Sequence, residues 1–491
     1  MAAAVLLLLA ARDWSFAGLS WPEALMLPCL TVLCVWPGIQ WYRRGMHWLP
    51  LGEAYAAMHL FYYVLPCLQG RPDWLAVSPH CRFLALVAVG VFLASFQAVY
   101  RMSLPKQQPL LLQTGIMNRT VSVYFVWGLF GLWLGWILIV QSGLMPNAKG
   151  LLNLFRSVNT AAGSMAVIFL FYQSGRGRLV PSTQYMLVAG LVAGLALTFA
   201  NGFLNGGAEM MGAALLAYSL GRKRIPAIAM TLGLIVLAVL QLGKGEYRAK
   251  YWVENANYSS QPVRLVEGYS TWLTAAWHDL TMGKQGGDEH QNILERVSLV
   301  QVLAVVVDAT PARLPFLHGK TYAMLPELMV PRVFWPAKPR GTLPSERLGI
   351  YYGIQTAEGS DVTGISIGQV AEAWANFGWL GLVAAGAFLG LLYGIPARLS
   401  RTLTPNQAGW LLASIFLIYS INLENTLVEI LCSLSTALLM GIALLLAISR
   451  ETIIMPRLRR QTGSGTETKA GAANLAGEPL EGLKVKAESG K

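Results

Sequence analysis

A series of long apolar stretches limits what this chain can fold into. Eleven stretches with few charged residues recur along the sequence, and a shorter one occupies the N-terminus. They lie at 22–38, 52–68, 82–100, 120–142, 157–174, 181–200, 207–220, 225–242, 379–397, 406–424 and 427–449. An α-helix needs about 20 apolar residues to cross a lipid bilayer. The sequence therefore predicts an all-α polytopic integral membrane protein with about twelve transmembrane helices.

The composition excludes a soluble globular protein. Of the 491 residues, 55% are apolar and 13% are charged, which is too hydrophobic for a water-exposed surface. The formal net charge of +12 lies largely in short loops and in the C-terminal tail, so we expect no nucleic-acid partner. The N-terminal MAAAVLLLLAAR has no basic n-region, and we interpret residues 1–12 as an uncleaved, marginal first helix.

Basic residues in the short loops predict the orientation. When the loops are assigned alternately to the two sides, every basic cluster of a short loop falls on one side. The clusters are Arg43 and Arg44; Arg101, Lys106 and Arg119; Arg176 and Arg178; Arg222, Lys223 and Arg224; Arg398 and Arg401; and Arg450, Arg457, Arg459 and Arg460. The positive-inside rule makes that side cytoplasmic. The C-terminus is then cytoplasmic, and the one long loop is periplasmic or extracellular.

This orientation divides the chain into four parts. Residues 1–242 form an N-terminal bundle of about nine helices, residues 243–365 form the large outer loop, and residues 366–450 carry the C-terminal transmembrane helices. Residues 451–491 predict a disordered cytoplasmic tail, because they are largely polar and lack aromatic residues.

Two helices are predicted inside the outer loop. Apolar and aromatic residues at helical spacing indicate an amphipathic helix over 264–280, lying in the membrane interface with its tryptophans at the level of the headgroups. The apolar run within 293–309 is too short for a span and predicts a buried or half-inserted helix. Cys67 and Cys81 bracket one short loop and either form a disulfide or, as we favour, remain free thiols.

A cationic, proline-rich segment runs from Arg313 to Arg347. Its six cations are Arg313, Lys320, Arg332, Lys338, Arg340 and Arg347, against the two acids Glu327 and Glu346. Prolines at 326, 331, 336, 339 and 344 predict a stiff, extended segment, since proline fixes φ and disfavours helix in the residue before it.

Three cations of this segment are candidate ligands of a lipid diphosphate. Arg332 and Arg340 offer planar forks to phosphate oxygens, and Lys338 offers a point charge. The alternative is that they extend to lipid headgroups, as basic loops at a membrane do. The same two interpretations apply to the remaining candidate cations, Arg248, Arg296 and Lys320.

A carboxylate and an amide stand where the chain re-enters the membrane. The stretch 364–398 is too long for one simple crossing, and Gly378 divides it. Its first piece places Gly368, Glu372 and Asn376 on one helix face at i, i+4 and i+8. Charged groups at membrane depth usually face a cavity or a partner. Glu372 is therefore a general base, an orienter of the arginines, or a helix-start acid paired with a loop arginine, and Asn376 is a candidate substrate-binding residue.

Other polar residues allow weaker interpretations. His318 is either a base or a solvated loop histidine. Asn201, Asn205 and Glu209 cluster near the outer ends of two spans and either line one cavity or cap helices. The histidines and cysteines show no metal-binding spacing, and no nucleotide-binding or serine-nucleophile motif is present. We therefore expect neither a metal nor another cofactor.

The chain resembles the Wzy-type oligosaccharide repeat-unit polymerases of bacterial surface-polysaccharide pathways. The resemblance rests on the number of spans, one large loop late in the chain, HGKTY…VPRVFWPAKP, and AEAWANFGWLG at the start of the next helix. It is strongest over residues 296–381. It implies a GT-C-like, metal-independent glycosyltransferase of the bacterial inner membrane, related in fold to the O-antigen ligases, with a periplasmic loop.

The resemblance also implies substrates and partners. The growing glycan, held on undecaprenyl diphosphate, is transferred to another lipid-linked repeat unit, and cations such as Arg332, Lys338 and Arg340 hold the diphosphates. Membrane lipids, a chain-length regulator and a flippase of the same pathway are the expected partners. The paired Arg-x10-Gly motifs of some members are not found among the outer-loop arginines, which argues against a detailed two-loop capture scheme here.

The proposed chemistry agrees with the charges, but other activities remain open. Preorganised cations stabilise the negative charge that develops on a diphosphate leaving group, and a carboxylate or histidine supplies a general base. The nearest alternative is an O-antigen ligase-like transferase to lipid A-core or protein, which would depend on an outer-loop histidine. A lipid-linked glycan flippase or other transporter, or a structural export subunit, are the remaining alternatives.

Overall fold

The chain is helical throughout the part that the structure describes. The computed structural model describes residues 18–69, 72–104, 115–141, 149–200, 202, 204–248, 250, 264–282, 298–330, 332, 334, 335, 337–362 and 364–458. Within these ranges, β-structure consists of an isolated bridge between Thr120 and Gln407. The chain forms two compact units, residues 1–445 and 446–491. The described part of the second unit is the end of the last helix.

The α-helices are numbered in chain order. They are α1 (Trp21–Arg43), α2 (Leu51–His59), α3 (Pro72–Ala76), α4 (Pro79–Ser103), α5 (Val123–Gln141), α6 (Lys149–Gly175), α7 (Pro181–Phe199), α8 (Asn205–Arg222), α9 (Ala227–Leu242), α10 (Lys244–Arg248), α11 (Arg264–Met282), α12 (Leu299–Ala309), α13 (Leu325–Met329), α14 (Leu343–Tyr351), α15 (Ala357–Val362), α16 (Gly368–Thr402), α17 (Ala408–Ile421) and α18 (Leu427–Leu458). A π-helix (Leu60–Val64) and a 3₁₀-helix (Leu65–Gln69) continue α2.

Seven of the described helices are long and apolar enough to cross a membrane. They are α1, α4, α5, the 154–175 part of α6, α7, α16 and the 427–447 part of α18. Helices also occupy the other predicted apolar stretches, but those are shorter or more polar. The protein is thus consistent with a polytopic membrane protein. The expected twelve spans are not confirmed, and the N-terminal stretch 1–12 lies outside the described residues.

Glycines bring α16 and α4 into close backbone contact. A Cβ added at Gly386 would lie 2.5 Å from the carbonyl oxygen of Phe92, and one at Gly390 would lie 2.4 Å from that of Phe96. Gly394 follows at the same spacing and faces Ser103. Small residues every four positions allow helices to approach closely in a membrane, where packing drives association. This seam fixes the long helix that carries Glu372.

Gly378 breaks α16 into two helices, as predicted. Its φ of 55° and ψ of −134° are non-helical, and only glycine adopts a positive φ readily. The break leaves carbonyl groups at the end of the first piece without helical partners. Backbone N–H groups of Leu317 and His318 donate to the carbonyls of Ala375 and Asn376, at 2.9 and 3.1 Å. The long loop between residues 243 and 365 therefore caps the first piece of α16.

Both helices predicted in the outer loop are present. In α11, Trp272 is buried and stacks on Tyr247 with ring centroids 4.5 Å apart, whereas Trp277 is exposed. Helix α12 is buried and packs against α4 and α16. The structure thus confirms the amphipathic helix α11 and the burial of helix α12. The location of α11 in the membrane interface stays a prediction.

The proline-rich segment is not extended throughout, and that prediction is wrong for two parts of it. Pro326 lies in the first turn of α13 and Pro344 in the first turn of α14. The first turn of a helix tolerates proline because its N–H groups have no helical partner, and the fixed φ suits a helix. Two short helices therefore replace part of the expected extended chain.

A buried ion pair joins the start of α1 to the start of α4. Arg82 Nε lies 3.2 Å from Glu23 Oε1, and both side chains are almost fully buried. Glu23 Oε2 accepts hydrogen bonds from the backbone N–H and the hydroxyl of Ser20, at 2.7 and 2.6 Å. The nearby Cys67 and Cys81 are free thiols, as we favoured.

Candidate functional site

Asn376 holds the turn that carries His318. Its Oδ1 accepts a hydrogen bond from the Gly319 N–H at 3.0 Å. Its Nδ2 donates to the Thr321 hydroxyl and to the Glu372 carbonyl, both at 2.8 Å. The side chain is fully buried. These contacts are to protein groups, so the geometry gives Asn376 a positioning role, and its contact with substrate stays a prediction.

Glu372 caps the N-terminus of α18. The residue is 0% exposed, and its Oε2 accepts a hydrogen bond from the Leu427 N–H at 2.6 Å. The same terminus carries a capping box, in which Thr426 N–H donates to Glu429 Oε2 at 2.8 Å and Glu429 N–H donates to Thr426 Oγ1 at 3.3 Å. None of the described arginines forms an ion pair with Glu372. Its carboxyl group thus joins α16 to α18.

His318 and Lys320 lie on the exposed side of the same turn. Both side chains are exposed, and the His318 ring contacts Phe316 edge-on with centroids 6.5 Å apart. His318 has a φ of 48°, a left-handed conformation that is uncommon for residues with a side chain. The backbone holding His318 is therefore set by the contacts of Asn376, while its imidazole remains accessible.

Arg332 and Lys338 are held together by their own segment. Arg332 Nη2 donates to the Pro339 carbonyl at 2.8 Å, and Lys338 Nζ donates to the Leu328 carbonyl. Partial burial is the main cause of a lowered Lys338 pKa, Cys432 opposes that shift, and Arg332 adds to it. Arg340 is exposed. The structure thus places two of the candidate diphosphate ligands side by side.

The segment with these cations is anchored on the first turns of α18. Met324 and Leu328 pack against Val428 and Cys432 in one apolar cluster. The hydroxyl of Ser345 donates to Glu429 Oε1 at 2.6 Å, which ties α14 to the same turns. The cations of residues 332–340 are consequently positioned by packing on both sides.

Arg248, another candidate cation, contacts a different part of the chain. Arg248 donates from Nε and Nη2 to the Gly202 carbonyl, at 3.2 and 2.9 Å. That contact belongs to the connection between α7 and α8. Arg296 lies outside the described residues, so its prediction has no structural counterpart here.

A second polar group, the carboxylate cluster, consists of Tyr62, Asn205, Glu209, Asn422 and Glu424. The Asn205 amide donates to Glu424 Oε2, and the Asn422 amide donates to Glu209 Oε1 at 2.6 Å. The Tyr62 hydroxyl donates to Glu424 Oε1 at 3.2 Å. The two acids are thus cross-linked, because α8 and the turn after α17 each supply one carboxylate and the amide that serves the other.

The start of α16 holds the turn that carries Glu424. Gly368 N–H donates to the Glu424 carbonyl at 3.1 Å. The Gln369 amide donates to the carbonyls of Leu423 and Asn425, at 3.3 and 2.7 Å. The same turn leads into Leu427, which Glu372 caps. Two members of the carboxylate cluster, Asn422 and Glu424, therefore lie in the connection 422–426, and the cationic segment packs on the first turns of α18 directly after it.

A cavity of about 340 Å³ borders the carboxylate cluster. It is lined by Trp133, Trp136, Ile137, Val140, Gln141, Arg156, Asn159, Thr160, Leu195, Thr198, Gly206, Glu209, Met210 and Ile418. Two glycines leave space for the Trp133 ring in the cavity wall. A Cβ added at Gly163 or Gly194 would lie 2.4 Å from an atom of that ring. The cavity combines aromatic faces, hydrogen-bonding groups and one carboxylate, Glu209.

Sequence reasoning found two of the five residues of the carboxylate cluster. Asn205 and Glu209 do lie together beside one cavity, as one interpretation predicted, whereas Asn201 lies outside the described residues. Asn422 and Glu424 were missed, although polar residues at the end of an apolar stretch are themselves a functional signal. No protein-family model, curated protein or solved structure matches the chain.

Proposed function

We propose that this protein is a membrane glycosyltransferase that polymerises undecaprenyl-diphosphate-linked oligosaccharide repeat units. It acts on the outer face of the bacterial inner membrane, with residues 243–365 periplasmic and the C-terminus cytoplasmic. In this arrangement the continuous segment 51–69, α8, α9 and α17 also cross the membrane. The observation that carries the proposal is the placement of Arg332 and Lys338 in a segment that packs on the first turns of α18, directly after the connection 422–426, which supplies Asn422 and Glu424 to the carboxylate cluster.

The cationic segment is suited to a diphosphate leaving group. Cleavage of the bond between the sugar and the diphosphate leaves an electron pair and negative charge on the lipid diphosphate. Cations fixed before the reaction stabilise that charge without reorganising, and such electrostatic stabilisation is usually the largest single contribution to catalysis. Arg332 and Lys338 meet this requirement, because α13, α14 and the backbone carbonyls around them hold the segment in place.

Glu372 and Asn376 have a supporting part in this proposal. Glu372 holds the start of α18, on which the cationic segment packs, and Asn376 holds the turn at 317–321. In this proposal both act through their contacts with protein groups. A loose supporting shell weakens a site even when its ligand-binding residues are all present, so both residues matter for activity through geometry.

The test is the glycan profile of a strain deleted for this gene and complemented with variants. We expect single repeat units in the deletion strain and a ladder with the wild-type gene. Arg332→Ala and Lys338→Ala should each reduce polymer by about 100-fold or more, as expected for loss of a preorganised donor. Arg347→Ala is the matched control, because Arg347 is an exposed cation of the same loop and should leave the ladder unchanged.

Other glycan profiles would identify the alternatives. Long glycan that accumulates on its lipid carrier without reaching a final acceptor would indicate a ligase. Repeat units trapped on the cytoplasmic leaflet would indicate a flippase. Either outcome would reject the polymerase proposal, and equal activity of Arg332→Ala and Arg347→Ala would reject the assignment of the cationic segment.

A further inference from the structure

We infer that the cavity beside the carboxylate cluster binds the acceptor glycan, and that Glu209 is the general base that takes the proton of its attacking hydroxyl. This inference rests on the proposed function and deepens it, because it assigns the second substrate to a place of its own. The donor diphosphate stays with the cationic segment, which packs on the first turns of α18, and Asn422, just before α18, donates to Glu209.

The walls of the cavity have the chemistry that a sugar requires. Sugar rings present apolar faces, which pack on aromatic rings, and hydroxyl groups, which need several donors and acceptors. Trp133 and Trp136 supply the aromatic faces, and Gln141, Asn159, Thr160, Thr198 and Glu209 supply polar groups. A volume of about 340 Å³ lies within the usual range of small-molecule sites, about 300–1,000 Å³.

An unsatisfied acceptor in the wall independently indicates a ligand. Asn159 Oδ1 is buried and has no hydrogen-bond donor among the residues described. Buried polar atoms are nearly always paired, by protein, water or ligand. A hydroxyl group in the cavity would donate to this oxygen, which is the pairing that an acceptor sugar provides.

The two carboxylates are arranged for different roles. Both oxygens of Glu424 accept protein hydrogen bonds, from Tyr62 at one oxygen and from Asn205 and Ser366 at the other. Glu209 accepts from Asn422 through Oε1, and within the described ranges no donor contacts its Oε2. Glu209 also lines the cavity, and Glu424 does not. Glu209 is therefore the carboxylate that can accept a hydrogen bond from the acceptor hydroxyl, and Glu424 is a positioning residue.

The reaction balances with these groups alone. The acceptor hydroxyl oxygen forms a bond to the anomeric carbon of the donor glycan as the bond from that carbon to the diphosphate oxygen breaks. The electron pair of the broken bond leaves with undecaprenyl diphosphate. The hydroxyl proton passes to Glu209 and is later released to water.

The test uses the full-length protein in lipid nanodiscs. The substrate is the undecaprenyl-diphosphate-linked repeat unit isolated from the deletion strain, and undecaprenyl diphosphate is a product inhibitor that reports on the cationic segment. We expect Glu209→Gln to lower the rate of chain extension by about 10²- to 10⁴-fold, the usual contribution of a general base. Its inhibition constant for undecaprenyl diphosphate and its thermal midpoint should stay at wild-type values. Glu209→Asp should fall between.

Controls separate this inference from the proposed function. Glu267→Gln changes an exposed acid of α11 and should extend chains at the wild-type rate. Asn159→Ala should raise KM for the repeat unit severalfold with little change in kcat, which decides the cavity assignment even if Glu209→Gln folds poorly.

Different results would reject the base, the acceptor cavity or the proposed function. Glu209→Gln with a wild-type rate, or with a rate, inhibitor affinity and thermal midpoint that fall together, would overturn the base assignment. An unchanged KM in Asn159→Ala would overturn the acceptor cavity. Wild-type protein that extends no chains would instead reject the proposed function itself.

Discussion

Glu372 of α16 accepts a hydrogen bond from the backbone N–H of Leu427, the first residue of α18, at 2.6 Å. Because that N–H has no partner within its own helix, Glu372→Ala should destabilise the protein by about 1–2 kcal/mol, as for loss of a helix cap. Glu372→Gln keeps an oxygen that can accept the bond, so its thermal midpoint and glycan ladder should stay close to wild type. A stable Glu372→Gln protein without a ladder would show that Glu372 is the general base.

Gly378→Ala should be destabilising although it adds a single methyl group. The residue has a φ of 55°, and the new Cβ would lie 3.0 Å from the Phe316 ring. Strained backbone of this kind costs about 1–3 kcal/mol, which thermal unfolding in detergent would detect. Gly341→Ala is the control, because nothing lies within 4 Å of its Cβ position. Equal thermal midpoints for the two variants would contradict the observed break.

His318 distinguishes a polymerase from a ligase. A ligase is expected to depend on an outer-loop histidine, so a polymerase should keep its ladder without this imidazole. His318→Gly is the cleaner variant, since glycine adopts the φ of 48° without strain, whereas His318→Ala retains the strain. We expect both variants to show wild-type ladders. Loss of transfer in both, with normal thermal midpoints, would favour the ligase.

Replacing only one partner of the Glu23–Arg82 ion pair should lower the stability of the protein strongly. Arg82→Met leaves the Glu23 carboxylate buried without its cation, and such changes cost about 3–5 kcal/mol. Adding Glu23→Gln removes the stranded charge and should recover part of the loss. Thermal unfolding of the two single variants and the double variant measures this coupling. Purely additive losses would show that the two side chains do not interact energetically.

The helices were predictable because their signals are local. Each of the eleven apolar stretches between residues 22 and 449 contains a helix, and the spacing of aromatic residues located α11. The break at Gly378 was also predictable, since the surrounding stretch is longer than one crossing requires. Such signals depend on neighbouring residues in the chain. They do not settle how many of the helices span the bilayer, because several are short or contain polar residues.

The candidate sites were predictable only in part because their contacts are distant in sequence. Asn422 and Glu209 are separated by 213 residues, and Asn205 and Glu424 by 219. No local pattern specifies these pairs. The position of Glu372 indicated an unusual carboxylate, but the helix N-terminus that it caps lies 55 residues later in the chain. The helices at Pro326 and Pro344 were not predicted for another reason. Proline is disfavoured in the interior of a helix, but its first turn tolerates proline.

In the π-helix at Leu60–Val64, the number of residues in the turn matters as well as their identity. A π-helix contains one more residue per local turn than an α-helix would. The extra residue is taken up within this turn, so the helical segments on either side keep their faces, whereas one extra residue in a regular α-helix would rotate one side by about 100° relative to the other. Tyr62, which donates to Glu424, lies inside the turn. A one-codon deletion that restores α-helical winding would therefore act on the carboxylate cluster through this turn, while the flanking residues keep their neighbours.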